Sequence, residues 1–409
     1  MPDTQTVSHA LIVDPVAVLC VLATVVFIAV RLEKRFNLFR SLSAALVGIL
    51  ISMLLSNLGI IPGTSPTYEF LVGPGVSVGI ALILLSVDIR SILQAGPTML
   101  AAFGIGALGT AIGAVLFGLL LAGEVGPETW KLTGQFTGTY TGGGMNFAAL
   151  GKALGTSSDL FTAAIAADVI VTAIWMATCL AVPVLLGRPK HSSLSPEAGA
   201  IQAETDEQSK EEEEKQEAET EKPATLEQSL HSSGKPVTLS DAAALVMIAV
   251  GTVWLAGRMA ALLPFLPEVL WLTTIVLLIA QIPAVKKISG GAMWGNYLVL
   301  LFLASNGAQS VVANIVRHGP AVFWFAGGTV LIHGIIIFGV GRMLRIDLPT
   351  LAVASQANVG GAASAMAMAS ARGYGDRLLP GVVVGLLGYA IGNYVGYAIA
   401  MLMRGWLVL

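Results

Sequence analysis

The sequence predicts an all-α polytopic membrane protein. About 11–12 membrane segments fall into two pseudo-symmetric halves, expected to be inverted repeats with two crossed broken helices. Three observations lead there. The 409 residues are 55% hydrophobic and 11% charged, with mean hydropathy +0.80, whereas about a quarter of a soluble chain is charged. Apolar stretches near the ~20 residues needed to span a bilayer recur on both sides of one hydrophilic break. Polar, glycine-rich interruptions fall at matching places in the two halves.

Taken in order, the apolar segments of the first half (residues 1–186) are Pro15–Arg31, Ser41–Ile61, Tyr68–Val87, Thr98–Ala122, Leu132–Leu154 and Leu160–Leu186. The stretch 187–237 follows, with 12 acidic and 6 basic residues around EEEEKQEAETEK. Its composition cannot bury a core and predicts a disordered tether. The second half (238–409) continues with Ser240–Leu262, Glu268–Val285, Trp294–Asn314, Pro320–Leu344, Pro349–Ala371 and Leu379–Met403. Outside the tether, 13 acidic residues face 16 basic ones, so the body is mildly basic. Cys20 and Cys179 sit in apolar runs and read as packing residues. The N-terminus has no Lys or Arg before the first apolar run, unlike a secretory signal, so that segment reads as a retained helix. Composition excludes a nucleic-acid binder and a disulfide scaffold; the expected surroundings are lipid and a multi-pass place in an inner membrane.

The halves repeat a pattern. LLSVDIRSILQAGP, a long helix, then TGQFTGTYTGGGMNFAALGKALG in the first answers FLASNGAQSVVANIVRHGP, a long helix, then LAVASQANVGGAASAMAMASARG in the second. Paired interruptions of this kind point to a transporter's binding site. An inverted repeat needs an odd number of crossings between the two breaks, yet twelve crossings put them six apart. The basic residues Arg31, Lys34, Arg35 and Arg40 mark the first connection as cytoplasmic. Lys286, Lys287, Arg342 and Arg345 mark later loops that strict alternation would put outside. One re-entrant, interfacial or miscounted segment, giving 11 crossings, resolves the conflict.

The candidate substrate- and ion-binding residues lie at these breaks. Glycines at Gly142, Gly143 and Gly144 each lower helix propensity by roughly 1 kcal/mol relative to Ala. An unwound helix frees backbone groups that lipid cannot satisfy, so the break must face protein or a polar cavity. Thr139, Thr141 and Asn146 add polar side chains there. In the second half Gln356, Asn358, Gly360, Gly361 and Ser364 form the matching set; the bland reading of both is helix packing. Asp168, in AAIAADVIVTAIW, is an acid among apolar neighbours. It costs at least ~2.5 kcal/mol at mid-membrane unless it meets a cation, a cavity or a partner. Asn393 is its neutral counterpart in the last helix, and Asn306 occupies the polar break SNGAQ. A sodium site is expected near Asp168, Thr141 and Asn358. Asp88 reads as a membrane-edge residue paired with Arg90, and His333 as a hydrogen-bonded structural residue. No nucleophile–base pair, zinc spacing or carboxylate dyad is visible, so the chain does not read as an enzyme.

The motifs TGTYTGGGMNF, AADVIVTAIW, SNGAQ, SQANVGGAASAMAMA and PGVVVGLLGYAIGNYVG resemble the YjcL-like family of uncharacterised membrane proteins (domain of unknown function 819). That family is placed in the clan of cation:proton antiporters and anion transporters. The resemblance implies a scaffold or dimer domain, hence a homodimer, beside a mobile core with two crossed, broken helices. The expected function is secondary transport of a small organic solute or anion, coupled to Na+ or H+ and needing no other cofactor. The alternative is a non-transporting membrane sensor or assembly protein whose breaks only pack.

Overall fold

The computed structural model describes residues 10–88, 94–186 and 237–407. The tether read at 187–237 lies outside them apart from Val237, as does Arg90. Among the described residues the chain is helical, and seven helices are long and apolar enough to cross a membrane. This is a multi-pass membrane protein.

The helices are α1 (Pro15–Arg35), α2 (Asn37–Asn57), α3 (Pro66–Leu84), α4 (Gly96–Leu120), α5 (Thr129–Gly142), α6 (Gly144–Leu154) and α7 (Ser158–Leu186). The second half adds α8 (Leu239–Leu262), α9 (Glu268–Ala280), α10 (Gly291–Ala308), α11 (Val312–Met343), α12 (Leu348–Ala371) and α13 (Gly375–Leu407). Local chemistry starts several of them. Asp14 caps α1 ahead of Pro15, Thr238 and Asp241 form a capping box on α8, and Asp347 caps α12, each satisfying N–H groups that a first turn leaves open. Within α3 a π-helical turn spans Leu71–Gly75 around Pro74, which has no N–H to give the ladder.

Two of the twelve apolar segments do not run through. At Gly143 the backbone takes φ 91°, a region open to glycine at no steric cost, and the chain reverses. Lys131 Nζ donates to the Gly155 carbonyl at 2.7 Å, and Glu128 Oε2 accepts from the Ser157 N–H at 2.9 Å. Gln135 also bonds Thr156, so α6 returns beside α5 to the end where α5 began. Gly361, at φ 77°, breaks α12 in the same way. Val353 before the break and Ala365 after it both face Gly381 of α13. Arg377, just after the second arm, reaches Thr350 at 3.0 Å and Asp347 at 3.1 Å, within the first arm and just before it. The reading of Leu132–Leu154 and Pro349–Ala371 as crossings is corrected: both are re-entrant hairpins. Ten of the apolar segments remain, five in each half, and seven of these have the length and hydropathy of a membrane span.

The loop contacts sort the molecule into two ends. Arg35 closes α1 at one end. There Lys286 pairs with Asp88 at 2.6 Å, and Arg372 bonds the Leu180 carbonyl near the end of α7. The opposite end holds Asn57 bonded to the Ser310 carbonyl at 2.9 Å, and Arg404 over the Trp130 ring at 5.2 Å. The first hairpin enters from this opposite end and the second from the basic end.

The helices pack in two groups that cut across the sequence halves. One group holds α1, α2, α3, α8, α9 and α10; the other holds α4 to α7 and α11 to α13. Small residues permit the close crossings. Gly106, Gly109 and Gly113 of α4 lie against His333, Ile336 and Thr329 of α11, so the backbones approach closely.

Candidate functional site

The two hairpin tips meet. A Cβ built on Gly143 would stand 3.4 Å from the Gly361 Cα, and Tyr389 of α13 packs against both glycines. Position along α13 fixes the depth. Arm α5 descends it antiparallel, with Gly134, Gly138 and Gly142 against Gly396, Gly392 and Gly388. The first arm of α12 climbs it in parallel, from Arg377 beside Thr350 to Tyr389 beside Gly361. Tyr389 lies 14 residues into the 33-residue helix, or about 21 Å at 1.5 Å per residue. The tips therefore sit near the middle of α13.

Buried oxygens crowd this region. Asn146 is fully buried and donates its amide N–H groups to the carbonyls of Gly138 (3.3 Å) and Gly388 (3.1 Å). Its Oδ1 has no partner, nor do the hydroxyls of Thr139 and Thr141. Asn358 repeats the pattern, giving its N–H groups to Phe103 (3.1 Å) and Ala354 (3.0 Å) and leaving Oδ1 free. Gln356 has neither amide atom paired, and it approaches Ser364 across Gly360. A buried polar atom without a partner costs roughly 1–3 kcal/mol. With the Asn146 and Asn358 amide donors committed to protein, the oxygens left over suit a hard cation or an N–H or O–H donor, while the unpaired Gln356 Nε2 leaves one donor for an acceptor group. The second arms, starting at Gly144 and after Gly361, also turn their positive helix ends toward the junction.

The sequence candidates divide on inspection. Thr139, Thr141, Gly143, Gly144, Asn146, Gln356, Gly360, Gly361 and Ser364 belong to the hairpin tips and adjoining turns. Gly144 is exposed, with nothing within 4 Å of an added Cβ, although its neighbours Gly143 and Met145 are buried. Asp168 joins the set at one remove. It is half-buried, accepts from Thr172 Oγ1 at 3.4 Å, and faces the Tyr140 hydroxyl without closing a well-formed hydrogen bond. Asp168, Thr141 and Asn358 make no hydrogen bond with one another, and Asn358 turns its amide toward α4. Asn393 points away, to Thr273 of α9 at 3.1 Å. Asn306 lies in the other helix group and donates to its own Phe302 carbonyl at 3.0 Å. It lies, as read, in the polar break SNGAQ, which ends α10 away from the hairpin tips.

His333 is hydrogen-bonded, as expected, but its partners escaped the sequence reading, as did Tyr389 and Lys152. His333 Nε2 lies 2.8 Å from Ser355 Oγ, which accepts from Trp175 Nε1 at 2.9 Å. His333 Nδ1 lies 2.8 Å from the Gly106 carbonyl and 3.0 Å from Thr110 Oγ1, which donates to the Tyr140 carbonyl. A tautomer with hydrogen on Nδ1 satisfies the whole chain. Ser355 and His333 have nucleophile–base spacing but are fully buried; their chain ties both hairpins to α4, α7 and α11. Tyr389 also went unnoticed, since an aromatic near a segment's middle carries no signal. Lys152 did carry one, as a lone lysine inside an apolar segment: its Nζ donates to the Gly73 carbonyl at 2.7 Å and contacts Ser77 Oγ.

Comparison with known proteins agrees with the membrane architecture. The family described as Protein of unknown function (DUF819) matches residues 16–405. The chain belongs to that family. It is also similar to the uncharacterized membrane protein YjcL of Bacillus subtilis (strain 168), with 28% identity over 378 residues, covering 90% of this chain and 92% of the relative.

Proposed function

We propose that this DUF819 protein is a secondary active transporter of a small organic solute or anion, driven by a sodium or proton gradient. The observation that carries the reading is the contact of the two hairpin tips near the middle of α13, amid buried oxygens that protein groups leave unpaired. Irregular backbone at membrane depth is tolerated where it lines a polar site. With each hairpin turning back, five segments crossing per half would run the two halves in opposite senses, the arrangement of an inverted repeat with its site at the centre. The two helix groups supply a frame and a hairpin-bearing body, the parts that rocking around a fixed site requires. The oxygen-rich tips suit a coupling cation, with Asp168 contributing charge through the Tyr140 side. Arg35, Lys286, Arg342, Arg345, Arg372 and Arg377 gather at one end, which the positive-inside rule assigns to the cytoplasm. All the loops that strict alternation separated fall on that single face.

The test is uptake into proteoliposomes under imposed sodium and pH gradients, screened against amino acids and organic anions. Gradient-dependent accumulation of one class is the expected result. No driven flux across the panel would overturn the reading in favour of a sensor or assembly protein.

A further inference from the structure

The halves match in topology but not in how their hairpins dock. Arm α6 of the first hairpin packs on α3 and α9 of the other helix group; α12 has no comparable packing against that group. Side-chain contacts follow suit. Lys152 reaches from α6 across the boundary to the Gly73 carbonyl and Ser77 Oγ, with Glu268 Oε1 3.8 Å away. The π-helical turn around Pro74 presents the Gly73 carbonyl to this lysine. Exposure is equally lopsided. From Met145 to Gly151 every residue of α6 is buried, whereas Gly360, Ala363, Ser364, Ala367 and Ser370 of the second hairpin are half-buried or exposed. Ala363, Ser364, Ala367 and Ser370 follow one helical face of the second arm from the tip to the basic end. That stripe is small and partly polar, unlike the Leu108, Ile112 and Leu116 stripe that α4 exposes.

We propose that Lys152 locks the first hairpin onto α3 and α9, closing the end that carries Trp130 and leaving the hairpin tips accessible from the basic end. The lock is an ammonium held by a carbonyl and a hydroxyl of the opposing group. Releasing it lets α6 separate from α3 and opens the tips on the other side.

Accessibility tests this directly in the full-length protein. Gly144→Cys places a thiol in open space at the tip, and Ser364→Cys places one on the exposed stripe. A membrane-impermeant maleimide is applied to each face in turn, against the parent protein, which retains Cys20 and Cys179. Both thiols should react from the basic face and only slowly from the opposite one. Adding Lys152→Met should speed reaction of Gly144→Cys from the opposite face by about tenfold, since a charged hydrogen bond is lost. Lys152→Arg should keep the parent pattern. Ser77→Ala removes a single contact from the partner side and should give about a threefold increase, which covers a Lys152→Met protein that does not fold. Equal reaction of Gly144→Cys from both faces in the parent, or no change in rate in either variant, would overturn the lock. The meaning of the two states rests on the transport reading, but labelling needs no substrate. Absent uptake with one-sided labelling retires transport alone, and two-sided labelling with uptake retires the lock alone.

Discussion

Replacing Gly388 by Ala probes the packing on which the meeting of the tips depends. A Cβ at Gly388 would stand 2.5 Å from the Thr141 carbonyl oxygen and 2.6 Å from the Gly142 Cα. Ordinary contact begins at 3.4 Å, so α5 and α13 must separate by about 0.9 Å. Both opposing atoms are backbone, so no rotamer relieves the overlap. Overpacking of this kind costs about 1–3 kcal/mol, and Gly142 adjoins the Gly143 tip, so the displacement reaches the junction. Gly144→Ala is the control. Its Cβ meets nothing within 4 Å and it opens a helix, so a neutral to mildly stabilising effect of up to about 1 kcal/mol follows from helix propensity. Thermal unfolding in detergent, followed by monodispersity, should show Gly388→Ala melting at least several degrees below both the parent and Gly144→Ala. Parent-like melting of Gly388→Ala would refute the close crossing.

Asp168→Asn keeps shape and removes charge; gradient coupling should fail while melting temperature stays near that of the parent, and unchanged ion dependence of uptake would exclude Asp168 from coupling. Ser355→Ala leaves Trp175 Nε1 and His333 Nε2 without their shared partner, and should destabilise by roughly 2–4 kcal/mol, read as lowered thermal stability. Asp347 gives a pH dependence. Burial raises its carboxyl, but hydrogen bonds from the Thr350 N–H and hydroxyl and the Arg377 charge outweigh this and hold it below the usual 3.8. A depressed folded value means the stabilisation is complete above that ordinary value and is lost as pH falls through the folded one. Asp347→Asn should therefore melt below the parent at neutral pH, with the gap closing in strong acid; a gap that persists there would show that the charge is not responsible.

Hydropathy and glycine placement along the chain determined much of this protein. Twelve apolar segments, the polar interruptions and the candidates Thr139 to Asn146 and Gln356 to Ser364 were all readable, because bilayer thickness and helix propensity act on local sequence. The conflict over the basic loops was readable too, as a sign that strict alternation over twelve crossings fails. What one sequence could not reveal was which segments turn back: Gly143 and Gly361 kink or reverse a helix with equal ease, and contacts such as Lys131 with Gly155 and Arg377 with Thr350 choose reversal. The directions of Asn393 and Asn306 away from the tips were likewise hidden, since hydropathy places a residue at a depth without saying which neighbour its side chain meets. The His333–Ser355 chain and the Lys152 contacts join residues far apart in sequence. Only the packing of the long helices around two hairpins brings such pairs within hydrogen-bond distance, and that packing is a property of surfaces that meet in three dimensions.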